Sequence, residues 1–361
     1  MTARATQPGR LSDPAMDLRA EPRVNPRLLA ALAAFGLDAA AAPAPFGRDV
    51  SAGVLDDFIT KSEAAFEGLY EALPNALPGD DFHVTHTTES IRGVDGNAIT
   101  LHLYRPDGVK GPLPCAIYIH GGGMTILKAD NKVHRQWALD LAQSGMLVVA
   151  VDFRNANGAA GRNPFPAGLD DCSSALAWVH AHKKDLGISR VVLQGESGGA
   201  NLALATTLKA KREEHVHAID GVYAMVPYIS GAYGWDTDRK LRELPSLVEC
   251  DSYFLNGSMM ALLAHAYDPS GDHARNPLAW PYFATVADVT GLPPHVISVN
   301  ELDPLRDEGI AYFRTLQRAG VASTGRVNLG LTHGAETIYR QAVSEVYAAT
   351  IRDIKRFAEG G

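Results

Sequence analysis

The chain has 361 residues, 46% hydrophobic and 20% charged, with a formal net charge of -8. That length suits two domains, or one large α/β domain with an elaboration, and that composition buries a full core. A mildly acidic chain argues against nucleic acid or an anionic membrane as a partner. Cys115, Cys172 and Cys250 are odd in number and widely spaced, so they make neither a disulfide framework nor a zinc pattern.

Residues 1–25 are polar, carry Pro8, Pro14 and Pro22, and read as an extended arm. The run from Leu28 to Leu37 superficially resembles a secretory apolar region. Asn25 is a suitable cap, Pro26 fits the first helical position and Gly36 sits where a helix would stop. Leu28, Leu29, Leu32 and Phe35 then share one face, so a retained helix and a cytoplasmic chain are expected. No stretch approaches the roughly 18 consecutive apolar residues of a membrane span. Ser51 opens a longer amphipathic helix with Val54, Leu55, Phe58, Ile59, Phe66, Leu69, Tyr70 and Leu73 on one stripe, ended by Pro74, Pro78 and Gly79. Two helices cannot bury both stripes on each other alone, so they should cover something further along.

From Phe82 the period changes to two. His83–Glu89 and Ile99–Tyr104, joined across Asp95-Gly96-Asn97, read as an antiparallel hairpin. Buried strands follow at Cys115–Ile119, Met146–Asp152, Arg190–Gln194, Gly221–Val226 and His295–Val299, with a last one near Ala322–Leu329. Helices alternate with them at Asn131–Ser144, Gly168–Leu186, Gly198–Glu213 and Leu305–Ala319, then Ala335–Phe357. Short apolar strands between long helices specify an α/β fold, a mostly parallel central sheet with helices on both faces and an antiparallel hairpin at the N-terminal edge. From Pro227 to Leu292 no strand is evident, and structureless loops beyond about 15 residues are uncommon in compact domains. The helical pattern at Met259–Tyr267 marks that stretch as a folded insertion. The expected organisation is N-terminal cap helices (1–81), the first part of a catalytic domain (82–227), a cap insertion (228–292) and the second part (293–361).

Two glycine-rich turns carry the chemistry. Val191–Gln194 runs into Gly195-Glu196-Ser197-Gly198-Gly199 and then a helical pattern, which puts the Ser197 hydroxyl on a tight strand-to-helix turn above the sheet. Among 34 glycines the pentapeptide alone is weak evidence. His120-Gly121-Gly122-Gly123 comes straight off the first core strand and leaves backbone N–H groups open. No Lys-Ser/Thr follows it, as a phosphate loop would need. By geometry the oxyanion donors are the amides of Gly122, Gly123 and Gly198.

The base must be a histidine after the last strand, and the acid a carboxylate just past the preceding one. His333 and Asp303 occupy those places, in the chain order Ser197, Asp303, His333. Glu301, Asp307 and Glu308 compete with Asp303; it is nearest the strand end, whereas Asp307 and Glu308 fall in a first helical turn, where the dipole explains them. Glu196 is expected to accept hydrogen bonds beneath the elbow. His83, His86 and His102 lack a converging acid, so no metal or other cofactor is expected.

With these residues placed, the chain from about Leu103 to His333 resembles the hormone-sensitive-lipase-like family of α/β-hydrolase esterases. The resemblance rests on His120-Gly121-Gly122-Gly123, Gly195-Glu196-Ser197-Gly198-Gly199, Asp303-Pro304-Leu305-Arg306-Asp307-Glu308-Gly309 and His333-Gly334. Glu196, Gly198 and Ala200 stand where the family usually has Asp, Ala and Gly, and Ala335 replaces a common Phe. It implies an α/β-hydrolase fold and a serine carboxylesterase acting on a small-molecule ester, short-chain or lactone-type. Amides and carbamates are alternative substrates of the same triad. A small-molecule receptor on this scaffold, as in the plant gibberellin receptors, lacks the histidine that this chain keeps. Whether the chain pairs as a homodimer, as related esterases often do, the residues leave open. Tyr228, Tyr233, Trp235, Tyr253, Phe254 and Trp280 are the aromatic candidates for the pocket wall.

Overall fold

The apolar runs pair into one eight-stranded sheet. In chain order its strands are β1 (Val84–Arg92), β2 (Ala98–Pro106), β3 (Leu113–Ile119), β4 (Leu147–Asp152), β5 (Ile188–Glu196), β6 (Gly221–Met225), β7 (His295–Asn300) and β8 (Ser323–Asn328). Their spatial order is β1-β2-β4-β3-β5-β6-β7-β8. Only β2 runs against its neighbours, pairing antiparallel with β1 and β4, and all other pairs are parallel. This is the α/β-hydrolase fold, with the antiparallel hairpin at the N-terminal edge. The computed structural model describes residues 8–74, 83–158 and 161–361; Pro78, Gly79 and Phe82, given above as helix stops and a strand start, lie outside them.

Alternate residues of the central strands feed two cores, which is why the strands read as continuous apolar runs. Cys115, Ile117, Ile119, Val191, Leu193, Val222 and Ala224 pack against the helices Ala167–Ala181 (α4), Gly198–Arg212 (α5) and Arg306–Arg318 (α6). Ala116, Tyr118, Val148, Ala150, Val192 and Tyr223 face the helix Lys132–Gln143 (α3) and the C-terminal helix Ser344–Glu359. All three cysteines are buried and free.

A third core answers what the N-terminal helices cover. Asn25 caps α1 (Pro26–Ala33) by accepting from the Arg27 and Leu28 amides, and Ser51 precedes α2 (Ala52–Ala72). Leu28, Leu32, Leu55, Ile59 and Tyr70 pack with Cys250, Tyr253, Phe254, Leu262 and Leu263 of the insertion. The Met259–Tyr267 pattern forms a helix over Gly257–Tyr267. Among the described residues no helix is long and apolar enough to cross a membrane.

Two readings need revision. Residues 8–25 dock onto the cap instead of extending as an arm: Leu18 is fully buried and Arg23 bonds Glu21 and Glu249, the latter shared with Arg306. Removing Arg23 leaves the buried Glu21 carboxylate without its guanidinium, while Glu249 keeps Arg306, so Arg23→Ala should cost about 1–3 kcal/mol in a denaturant melt. Second, the final helix is broken: Ala335–Ile338 is a single turn, and the long helix starts only at Ser344. The turn belongs to the loop above the strand ends, whereas the long helix lies across the sheet face, and Tyr339–Val343 redirects the chain between them.

Candidate active site

β5 ends at Glu196 and α5 begins at Gly198, so Ser197 alone makes the turn, with φ 55° and ψ −119°. A non-glycine residue in that region is strained and persists only where its surroundings hold it. Ser197 N–H donates to Met225 O, and its carbonyl accepts from the amides of Asn201 and Tyr228. A Cβ on Gly199 would lie 1.9 Å from Ile119 O, so only glycine lets α5 approach β3 this closely. A Cβ on Gly198 would lie 2.5 Å from Met124 N and 2.7 Å from Gly123 N. The elbow therefore abuts the glycine loop, which accounts for Gly198 where alanine is usual in similar sequences.

The glycine loop is bent back on itself. Gly122 has φ 105°, and its carbonyl accepts from the Thr125 and Ile126 amides. The amides of Gly122, Gly123 and Gly198 have no protein acceptor among the described residues. Glu196 fastens the loop from below: its Oε1 accepts from Gly121 N–H and from the Tyr118 hydroxyl, each at 2.9 Å. Burial pushes this carboxyl up to about 8.

His333 Nδ1 lies 2.8 Å from Asp303 Oδ2, with Asp303 fully buried and His333 nearly so. Asp303 Oδ1 accepts from Leu305 N–H at 2.9 Å. Asn300, at the end of β7, donates to Thr332 O and to Glu336 Oε2, which ties the histidine loop to the strand carrying the acid. The competing carboxylates go elsewhere. Glu301 accepts from Gly330 N–H, and Asp307 accepts from Ser246 N–H and pairs with Arg306.

Glu308 is more than a dipole partner. It is buried and accepts from Ile229 N–H, Ser230 N–H, the Ser230 hydroxyl and the Tyr233 hydroxyl, anchoring the start of the insertion. Nothing in local periodicity distinguishes it from Asp307, because its partners are remote in sequence.

Ser197, His333, Gly122 and Gly123 line one mainly apolar cavity, together with Phe66, Tyr70, His134, Phe254, Met259 and Leu263. Of the six aromatic candidates for its wall, Tyr228 and Phe254 are there. Tyr233 instead stacks on Tyr228 at 4.4 Å, Trp280 packs edge-on to Tyr267, Trp235 packs with Tyr282, and Tyr253 bonds Glu21. Phe66 and Tyr70 were readable as one helical stripe, but not as a wall over the serine.

Residues 116–337 match a family profile described as alpha/beta hydrolase fold. The chain is 54% identical to a solved structure titled brefeldin A esterase, a bacterial homologue of human hormone sensitive lipase, with a TM-score of 0.97 over 98% of each chain. Esterase Est22 is 35% identical, with a TM-score of 0.83, over 96% of this chain and all of that one. The carboxylic ester hydrolase LipN of Mycobacterium tuberculosis is 30% identical over 82% of this chain and 74% of that protein. The carboxylesterase NlhH of the same organism is 33% identical over 64% of this chain and 69% of that protein. On this sequence and structural likeness, the chain belongs to the hormone-sensitive-lipase-like branch of the α/β-hydrolases and is a carboxylic-ester hydrolase.

Proposed function

We propose that Ser197, His333 and Asp303 act as a catalytic triad on small carboxylic esters, short-chain or lactone-type, through an acyl-enzyme. The observation that carries this reading is the 2.8 Å contact between His333 Nδ1 and buried Asp303, on the wall of the cavity that Ser197 also lines. With Nδ1 engaged, Nε2 is left to take the proton of the Ser197 hydroxyl as Oγ attacks the ester carbonyl. Asp303 holds that tautomer and stabilises the imidazolium. The carbonyl oxygen becomes an oxyanion held by the amides of Gly122, Gly123 and Gly198, which have no acceptor among the described residues and so suit it. His333 returns the proton to the departing alcohol. Water, deprotonated by His333, then releases the acid and restores Ser197.

The mostly apolar wall favours an ester with a hydrocarbon group beside the carbonyl. A fluorophosphonate probe tests the nucleophile: digestion and mass spectrometry should place the adduct on Ser197, and an adduct on another residue overturns the reading. The oxyanion role is tested by Gly122→Ala. A Cβ there would stand 2.1 Å from Ile126 O, so the loop must open and its donors move. The expected result is a fall in kcat of about 10²- to 10³-fold, the usual cost of one lost oxyanion donor, with the fold retained by circular dichroism.

A further inference from the structure

One wall of this mainly apolar cavity gathers three polar side chains. It consists of Tyr70 from α2, His134 from the first turn of α3, and Glu196. His134 packs edge-on to Tyr70, with ring centres 5.7 Å apart, and its Nε2 is 3.6 Å from Glu196 Oε1, too far for a hydrogen bond. Each of the three ends in a polar atom that makes no hydrogen bond among the described residues. Glu196 Oε2 is buried without a partner. The Tyr70 hydroxyl makes no hydrogen bond among the described residues. His134 Nδ1 is 2.7 Å from Lys128 O, which requires the proton on Nδ1 and leaves Nε2 as a bare acceptor.

The charge states follow from burial, which pushes Glu196 up to about 8 and His134 down to about 3. Both are therefore neutral at pH 7. Since Glu196 Oε1 already takes two donors, its own proton belongs on Oε2. The wall thus offers a carboxyl donor, an imidazole acceptor and a phenol that serves as either. A buried polar atom without a partner is rare in native proteins, and Glu196 Oε2 beside two further unengaged polar groups on one cavity points to a ligand group that supplies the missing bonds. A hydrocarbon chain supplies none of them and a carbonyl oxygen only accepts. An alcohol hydroxyl both donates and accepts.

We propose that Tyr70, His134 and Glu196 form a subsite for a hydroxyl group on the substrate, so that the preferred esters are hydroxylated near the scissile carbonyl. Glu196 directly precedes Ser197, and Gly121, which it holds, directly precedes Gly122, so the subsite shares the cavity with both the elbow and the glycine loop. The inference rests on the serine-esterase reading and narrows its substrate class.

The test compares kcat/KM within isosteric pairs. One arm carries the hydroxyl on the acyl group (p-nitrophenyl 3-hydroxybutyrate against p-nitrophenyl 3-methylbutyrate), the other on the alcohol (2-hydroxyethyl butyrate against propyl butyrate). In one arm the hydroxylated ester should be favoured by about tenfold or more, because its analogue leaves the polar wall unpaired. Tyr70→Phe should cut that ratio by about threefold or more, consistent with the loss of one hydrogen bond. His134→Phe, which keeps the ring packing, should do the same. Ratios near one in both arms of the wild type, with the parent esters hydrolysed, overturn the subsite alone. A wild-type preference that survives both substitutions also overturns it. A wild type that hydrolyses none of the four esters overturns the serine-esterase reading and the subsite with it.

Discussion

Ser197→Ala is expected to lower kcat for p-nitrophenyl butyrate by roughly 10⁶-fold, the scale of losing the nucleophile from a serine triad. The size follows from what the residue does in the proposed cycle: without Oγ there is no acyl-enzyme, and His333 and Asp303 then have nothing to activate. The change is otherwise conservative. The Ser197 side chain makes no capping bond to α5, and the turn is held by backbone bonds to Met225, Asn201 and Tyr228 that alanine keeps. The unfolding free energy should therefore stay within about 0.5 kcal/mol of the parent, as for substitutions that remove no packing. Kinetics and a denaturant melt on one preparation check both halves. Turnover within tenfold of the parent would remove Ser197 from the mechanism.

The sheet was legible because burial on both faces writes itself into a strand as an unbroken apolar run. Val191–Leu193 and Val148–Ala150 are such runs, and each sends alternate residues into the two opposing cores. The elbow was legible because backbone crowding admits only glycine around Ser197, a constraint that acts within a few residues. What stayed hidden depends on contacts made across the chain. Tyr233 and Trp280 are aromatic members of the insertion like Tyr228, yet they pack beneath the cavity instead of lining it. Glu308 has the local signature of a helix-terminal charge, and its donors Ile229, Ser230 and Tyr233 lie far from it in sequence. The break between Ala335–Ile338 and Ser344–Glu359 leaves no local signature for the same reason: both pieces carry helical periodicity, and only their different partners show that the chain must turn.

These remote contacts join the parts of the site. The segment Tyr228–Ser230 leaves β6 with its first amide on Ser197 O, while the Asn201 side chain donates to the carbonyls of Tyr228, at the start of the insertion, and Ala279, in its later part. Glu308 grips the same segment from α6, the helix that follows Asp303. The Tyr228 hydroxyl then reaches Met260 O in the helix above. Elbow, acid loop and cap therefore share one short strap, and strain introduced at any of them passes to the others through direct bonds.

Asp303→Asn should reduce kcat by about 10⁴-fold while leaving the fold intact, the cost of presenting the imidazole in the wrong tautomer. The surrounding bonds determine which way the amide would sit. Asp303 Oδ1 accepts from the Leu305 amide at 2.9 Å, and Oδ2 faces His333 Nδ1. An asparagine keeps its oxygen on the Leu305 N–H, because an NH₂ group cannot accept there, and so turns its NH₂ toward the imidazole. Nδ1 must then accept, the ring proton moves to Nε2, and Nε2 can no longer take a proton from Ser197. Glu301→Gln and Asp307→Asn are the matched controls. Their carboxylates bond Gly330 N–H and Ser246 N–H, away from His333, and each should keep kcat within about threefold of the parent, since neither change alters the imidazole's partner. The comparison is decided by kcat on one ester across the three variants. If Asp303→Asn stays within tenfold of the parent, or if Glu301→Gln falls as far as it does, the acid of the triad is not Asp303.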